Sequence, residues 1–386
     1  MRTVLCAAAG IALATSAARA EEPIKVGVVA SFSGPFADYG KEMEAGIKAY
    51  QKLNGDSVAG RKVEVIFRDT TGPLPDVAKR LAQELVVREK VDFLAGFGLT
   101  PEALAAADVA SQAKKPMVVM NAATSVITAK SPYVARVSMT LAQETAPLGT
   151  WAARSGIKRV FTLVSDYGPG IDAENAFKKS FTAAGGTIVD SIRSPLRSPE
   201  FAPSLQRIKD ARPEATFFFV PAGEQGIALM KGFQERGLGQ AGIKAIATGD
   251  ITDDHVIDAM GDVALGMITS SHYSAAHDSP ENRAFLEAYR QVSGGLGRAN
   301  FMAVAAYDGM AAIYDVSRAL GGRIDGDKAM AILKGWKRES PRGPISIDPE
   351  TRDIVQTVYI RRVEKRDGHY YNVEFEKFPA VKDPGK

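Results

Sequence analysis

A two-lobed α/β fold with parallel sheets is predicted by three observations. Strand-like apolar runs alternate with helical segments from residue 24 onward, a pattern that puts helices on both faces of a parallel sheet. The series occurs twice in the same order, with a short extended piece over 132–139 between the two sets. The chain has 386 residues, too many for one ordinary core, so two domains of normal size are expected.

The first set begins with a β-rich apolar run over 24–30, a loop over 31–34 and a helix from 38 or 39 to 53. An alternating strand over 61–69 and a helix over 75–89 follow. Next comes a buried run over 91–96, the loop from Phe97 to Thr100, a helix over 101–114, a second buried run over 116–120 and a polar loop over 121–125. Thr100-Pro101-Glu102 reads as a helix start, with a hydroxyl cap, proline at the first helical position and an acid in the first turn. Because helices that begin at strand ends aim N–H groups into the crevice of an open α/β sheet, an anion site is expected near Thr100.

The second set starts with a helix over 144–155 and continues as strand 159–165, helix 171–184, strand 187–192, helix 201–211, strand 215–220, helix 224–236 and strand 243–248. A short helix over 253–260, a strand over 265–271 and helices over 282–293, 302–320 and 327–334 come next. The chain ends in an antiparallel hairpin, 356–364 with 369–375, around Asp367-Gly368.

Composition is that of a globular protein, 45% hydrophobic and 24% charged, with 48 basic against 45 acidic residues. So even a balance offers no basic field for nucleic acid. The first twenty residues differ in kind. Arg2, an apolar body over 4–18 and the ending Ala18-Arg19-Ala20 read as a secretory signal peptide over 1–20, cleaved after Ala20 and too short for stable membrane insertion. Cys6 is the only cysteine and leaves with this segment, so disulfides and cysteine catalysis are excluded from the mature chain. It sits at the beginning of the apolar body, the wrong end for lipid attachment.

Particular residues then bring a family into view. The opening Ile24-Lys-Val-Gly-Val-Val-Ala-Ser-Phe-Ser-Gly-Pro-Phe-Ala-Asp-Tyr-Gly40, with Gly46 and Leu53-Asn54, resembles the start of branched-chain amino acid (Leu/Ile/Val) type substrate-binding proteins of ABC transporters. Further matches are Arg136 after Tyr133, Ser165-Asp-Tyr-Gly168, Gly185-Gly186, Phe201, Gly237-Leu238 and Ala306-Tyr-Asp-Gly309, so the resemblance covers nearly the whole mature chain. It implies a type I periplasmic binding fold, two Rossmann-like lobes joined by a three-segment hinge. Lobe 1 would comprise 22–140 plus 275–346 and lobe 2 would comprise 141–274 plus 347–386, with crossovers near 138–141, 271–274 and 345–349. It further implies a periplasmic protein that hands a small ligand to an inner-membrane ABC permease, uses no cofactor and catalyses nothing.

Carried over residue by residue, the resemblance places a carboxylate in the loop Gly98, Leu99 and Thr100, with Asn121, Ala122, Ala123 and Thr124 as its second part. Tyr167 would cover the ligand from the second lobe, where Ala222 also lines the cleft, and Asp250 falls near the acid that meets an α-ammonium group. Asp253 and Asp254 read equally as helix caps. Phe36, Tyr39, Phe97, Tyr273 and Tyr307, together with His272 at the hinge edge, give a cleft rich in rings. Rings pair by edge and offset contacts worth about 0.5–1.5 kcal/mol each. The expected ligand is therefore a small aromatic carboxylate, hydroxybenzoate- or cinnamate-like, with a branched-chain or other amino acid as the alternative.

A distant alternative is an exported nucleotide-dependent enzyme. Gly168-Pro-Gly-Ile-Asp-Ala173 formally fits G-x-G-x-x-A, with Asp190 as the ribose acid. Proline inside the glycine turn and the Asp166-Tyr167 insertion weigh against it. No HExxH is present and His272 with His277 match no ligand spacing, so no metal site is expected. A Gly-x-Ser-x-Gly elbow is also lacking.

Overall fold

The computed structural model describes residues 22–197 and 199–386, so the signal segment expected over 1–20, with Cys6, lies outside the described residues. In chain order the elements are β1 (Ile24–Ala30), α1 (Ala37–Asn54), β2 (Ser57–Val58), β3 (Arg61–Asp69), α2 (Pro75–Val87), β4 (Phe93–Gly96), α3 (Thr100–Ala113), β5 (Met117–Val119), β6 (Val134–Arg136) and α4 (Leu141–Arg154). There follow β7 (Arg159–Ser165), α5 (Gly168–Ala183), β8 (Thr187–Ser194), α6 (Ala202–Ala211), β9 (Ala215–Phe219), α7 (Glu224–Glu235), β10 (Lys244–Thr248), α8 (Ile257–Met260) and β11 (Ile268–Ser271). The chain closes with α9 (Pro280–Val292), α10 (Phe301–Ala319), α11 (Gly326–Leu333), β12 (Lys337–Ser340), β13 (Gly343–Ile347), β14 (Ile354–Arg366) and β15 (His369–Val381).

Two sheets result. The first runs β2-β3-β1-β4-β5-β6, parallel except at the β2 edge. Its central strands β1 and β4 are apolar and buried except for Lys25 near the start of β1, as strands covered on both faces tend to be. The second sheet runs β12-β13-β14-β11-β10-β9-β7-β8, with β15 beside β14. Strands β7 to β11 pair in parallel, and β12 to β15 extend the sheet antiparallel. Strands β12 and β13 therefore hydrogen-bond into the second sheet, although residues up to 346 were expected in the first lobe. They are short, and β12 carries Lys337, Arg338 and Glu339, so no apolar run marks them in the sequence. The helix expected over 253–260 is also reduced, to 257–260, because Asp253 and Asp254 accept hydrogen bonds from other segments instead of capping it.

Helix α10 has apolar or small residues on nearly every face and is buried along most of its length. It packs directly on α1, where Gly46 lets the two backbones close up: a Cβ there would stand 2.1 Å from the Ala303 carbonyl oxygen. Gly46→Ala should therefore destabilise the protein by about 1–3 kcal/mol, the cost of overpacking, read as a lower urea midpoint at unchanged slope.

Buried arginines knit the chain where it passes between the sheets. Arg342 donates to the carbonyls of Val137 and Ser138 and pairs with Asp308 at 2.9 Å. Arg136, fully buried, pairs with Asp353 at 2.8 Å.

Candidate functional site

Loops that follow β1, β4 and β5 face loops that follow β7, β9 and β10, and the two groups touch. Tyr39, in the first turn of α1, carries the contact from the first lobe. Its ring lies on Gly98, where a Cβ would come within 3.1 Å of it, and meets Phe36 edge-on at 5.5 Å. Its hydroxyl faces Tyr167, Asp250 and Asp253 and takes a hydrogen bond from the Ala222 backbone, all second-lobe groups. Burial, and then these neighbours' charges, hold that hydroxyl well above its ordinary pKa, so it stays protonated.

The expected hydroxyl cap at Thr100 is absent. Leu99 occupies the cap position of α3, and the carboxylate of Glu102 reaches back to accept its N–H at 2.9 Å. Glu102 also accepts from the Ser31 and Thr70 hydroxyls, which ties the ends of β1, β3 and β4 together. Burial pushes this carboxyl up to about 7. The consequence is that the Thr100 hydroxyl is buried, at the head of a 14-residue helix, with no partner. Asn121 donates to the Gly98 carbonyl at 2.7 Å, and its own side-chain oxygen is likewise buried and unpaired. Each such atom costs about 1–3 kcal/mol until something pairs with it.

The remaining loop positions are held from inside the first lobe. Phe97 is fully buried, has φ 64°, and accepts the Ala122 N–H at 2.9 Å, which binds the two loops together. The carbonyls of Ala122 and Thr124 accept from Arg136, and that of Ala123 from the Leu141 amide. The Thr124 hydroxyl turns outward to Asp172 of α5.

On the opposite side Tyr167 is half-buried at the start of α5 and stacks on Phe219 at 6.1 Å. Asp250 accepts from the Thr248 hydroxyl at 2.9 Å and faces Glu144. Burial and then the Glu144 charge push Asp250 up to about 7. Burial alone outweighs the nearby Arg361 and takes Glu144 to about 7 as well. His272 hydrogen-bonds Glu144 through Nδ1, its Nε2 is buried without a partner, and burial with Arg342 and Arg361 nearby keeps the imidazole neutral.

Two rings expected in the cleft lie elsewhere. The Tyr273 hydroxyl bonds Asn282 at 3.0 Å and its ring packs on Phe285 of α9. Tyr307 packs between Tyr50 and Phe285, also within the first lobe. Their neighbours are helical residues distant in sequence, which no local pattern reveals. Glu102, Glu144 and Asp172 were missed. An acid at the third helical position is the usual capping-box signal and could have found Glu102. Glu144 sits four residues after Thr140, whose hydroxyl caps α4 by accepting the Gln143 N–H, and nothing in its spacing distinguishes it.

The nucleotide reading fails on geometry. A Cβ at Gly170 would stand 1.8 Å from the Ser165 carbonyl oxygen, so this glycine serves strand-to-helix packing. A Cβ at Gly168 would approach the Thr124 hydroxyl to 3.0 Å, so the glycine turn is filled by the facing lobe. Asp190 lies inside β8 and pairs with Arg207. Among the described residues no three acidic, histidine or cysteine side chains cluster to hold a metal.

The family model described as "Periplasmic binding protein" matches residues 23–368. The chain belongs to the periplasmic binding protein family. Within this family it is 48% identical to Leu/Ile/Val-binding protein homolog 6 of Brucella melitensis, over 100% of this chain and 98% of that one. A solute-binding protein of an ABC transporter from Rhodopseudomonas palustris, solved in complex with 3,4-dihydroxybenzoic acid, is 55% identical. It superposes with a TM-score of 0.91 over 94% of this chain and 99% of that one. A second, from another strain of the same species and solved with p-hydroxybenzoic acid, is 47% identical with a TM-score of 0.92 over 94% and 99%. The two α/β lobes thus have the type I architecture of the ABC-transporter solute-binding proteins.

Proposed function

We propose that this protein is the periplasmic component of an ABC importer that captures a small aromatic carboxylate, of the hydroxybenzoate class, and presents it to an inner-membrane permease. It acts by binding and closure, with no bond made or broken. The observation that carries the ligand class is one combination: an unpartnered Thr100 hydroxyl at a helix N-terminus, and tyrosines 39 and 167 brought together from opposite lobes. A carboxylate would accept a hydrogen bond from the hydroxyl and gain from the helix-end field, worth about 0.3–1 kcal/mol and more when partly buried. The rings would sandwich an aromatic body. The hydroxybenzoates held by the two Rhodopseudomonas palustris relatives support this class.

Asp250 sits where an amino-acid ligand would place its ammonium group, and the name of the Brucella relative favours that second reading. The environment of Asp250 argues for a phenol. A carboxyl pushed to about 7 is only partly ionised at neutral pH, and it can accept from or donate to a ring hydroxyl without holding a full charge.

A thermal-shift comparison of 4-hydroxybenzoate, 3,4-dihydroxybenzoate, leucine and valine tests the choice. At a hundred times its dissociation constant a true ligand stabilises by about 2.7 kcal/mol. Both hydroxybenzoates are expected to raise the melting temperature, and Asp250→Asn should keep that response. Stabilisation by leucine or valine alone, lost in Asp250→Asn, would establish the amino-acid reading instead.

A further inference from the structure

Asp172 stands one turn into α5, on the second lobe, yet its bonds are to the first. One of its carboxylate oxygens accepts both the Thr124 hydroxyl, at 2.5 Å, and the Ser125 backbone N–H, at 2.9 Å. One turn earlier, at the first residue of the helix, Gly168 packs against Thr124 and Thr100, where a Cβ would stand 3.0 and 3.5 Å from their side chains.

The loop from Asn121 to Ser125 is thus fixed from two directions. Its carbonyls at 122 and 124 are taken inside the first lobe by Arg136, and that at 123 by the Leu141 amide at the crossover. The Ser125 hydroxyl goes to Asp383. The Thr124 hydroxyl and the Ser125 N–H are held by the second lobe alone, through Asp172. When the lobes part, both donors lose their acceptor. Asp172 is half-buried and its carboxylate returns to water at little cost. We infer that Asp172 is a positioning residue for solute binding: it fixes the Asn121–Thr124 loop only in the closed form, and so couples the ordering of that loop to lobe closure.

This inference depends on the lobes closing over a solute and not on which solute it is, so its test includes a measurement without ligand. The described chain contains no cysteine, and Lys79→Cys on α2 with Lys231→Cys on α7, both at exposed positions, label the two lobes selectively. Interlobe distances by electron spin resonance should show a smaller closed population in Asp172→Ala than in the parent, with and without 4-hydroxybenzoate. The dissociation rate of 4-hydroxybenzoate should rise roughly ten- to hundred-fold, the usual effect of losing hydrogen bonds to a charged group. Asp172→Asn keeps an acceptor oxygen and should restore most of both properties, while the urea midpoint stays that of the parent. The inference is overturned if Asp172→Ala leaves the distance distribution unchanged, or if asparagine rescues no better than alanine.

Discussion

Thr100→Val is expected to weaken binding of 4-hydroxybenzoate by roughly ten- to hundred-fold while leaving the unfolding midpoint unchanged or slightly raised. Valine keeps the shape of threonine and removes only the hydroxyl. In the unliganded protein that hydroxyl is buried with no partner, so its loss costs nothing there and relieves a desolvated polar atom. In the proposed complex the hydroxyl would donate to the solute's carboxylate, and hydrogen bonds to charged groups contribute about 1.5–3 kcal/mol. The two effects have opposite signs, which separates a binding role from a structural one. The capping role expected for Thr100 would have predicted a destabilised helix, at about 1 kcal/mol, and unaltered binding. Calorimetric titration beside urea unfolding decides between them. Unchanged affinity would remove Thr100 from the site.

What the sequence disclosed and what it concealed follow from the range of the interactions involved. Seven alternating elements, β1, α1, β3, α2, β4, α3 and β5, were legible because each is bounded by local signals, such as Pro75 and Pro101 at helix starts and apolar runs for β1 and β4. Thr100 was found for a related reason, as a polar residue at a strand-to-helix turn. Its cap role was misassigned because Glu102, two residues along, competes for the same backbone donors and wins by reaching Ser31 and Thr70 as well. The clasp of Asp172 on Thr124 spans 48 residues, and the pairing of Glu144 with His272 spans 128. Such contacts exist only once two lobes are assembled, and no periodicity records them. Strands β12 and β13 were missed for the converse reason. They are short segments at the sheet's edge, β12 pairing with β13 and β13 with β14, and their place is set by that pairing rather than by an apolar run of their own.

Arg136→Met should produce the largest loss of stability, at about 3 kcal/mol or more, and should damage binding in the fraction that remains folded. The guanidinium is fully buried and makes four contacts at once: Asp353 at 2.8 Å and the carbonyls of Ala122, Thr124 and Met139. Removing one partner of a buried ion pair leaves the other uncompensated, which costs about 3–5 kcal/mol. Here Lys386, 3.1 Å from Asp353, and the Thr128 hydroxyl at 2.9 Å still attend the carboxylate, so the lower end is expected. The three carbonyls lose a donor as well, that of Thr124 keeping only the Ile127 amide at 3.4 Å, and two belong to the loop proposed to seat the solute. Arg136→Lys keeps the charge but cannot span four acceptors, so it should recover part of the stability and little of the affinity. Combining Arg136→Met with Asp353→Asn removes the unpaired charge and should return part of the loss without restoring the loop. Urea midpoints for the three variants, with 4-hydroxybenzoate titrations of each, distinguish these contributions. A loss below 1 kcal/mol in Arg136→Met would mean that the ion pair with Asp353 does not hold this region together, and that the loop's geometry is set by Asp172 and the Phe97 backbone instead.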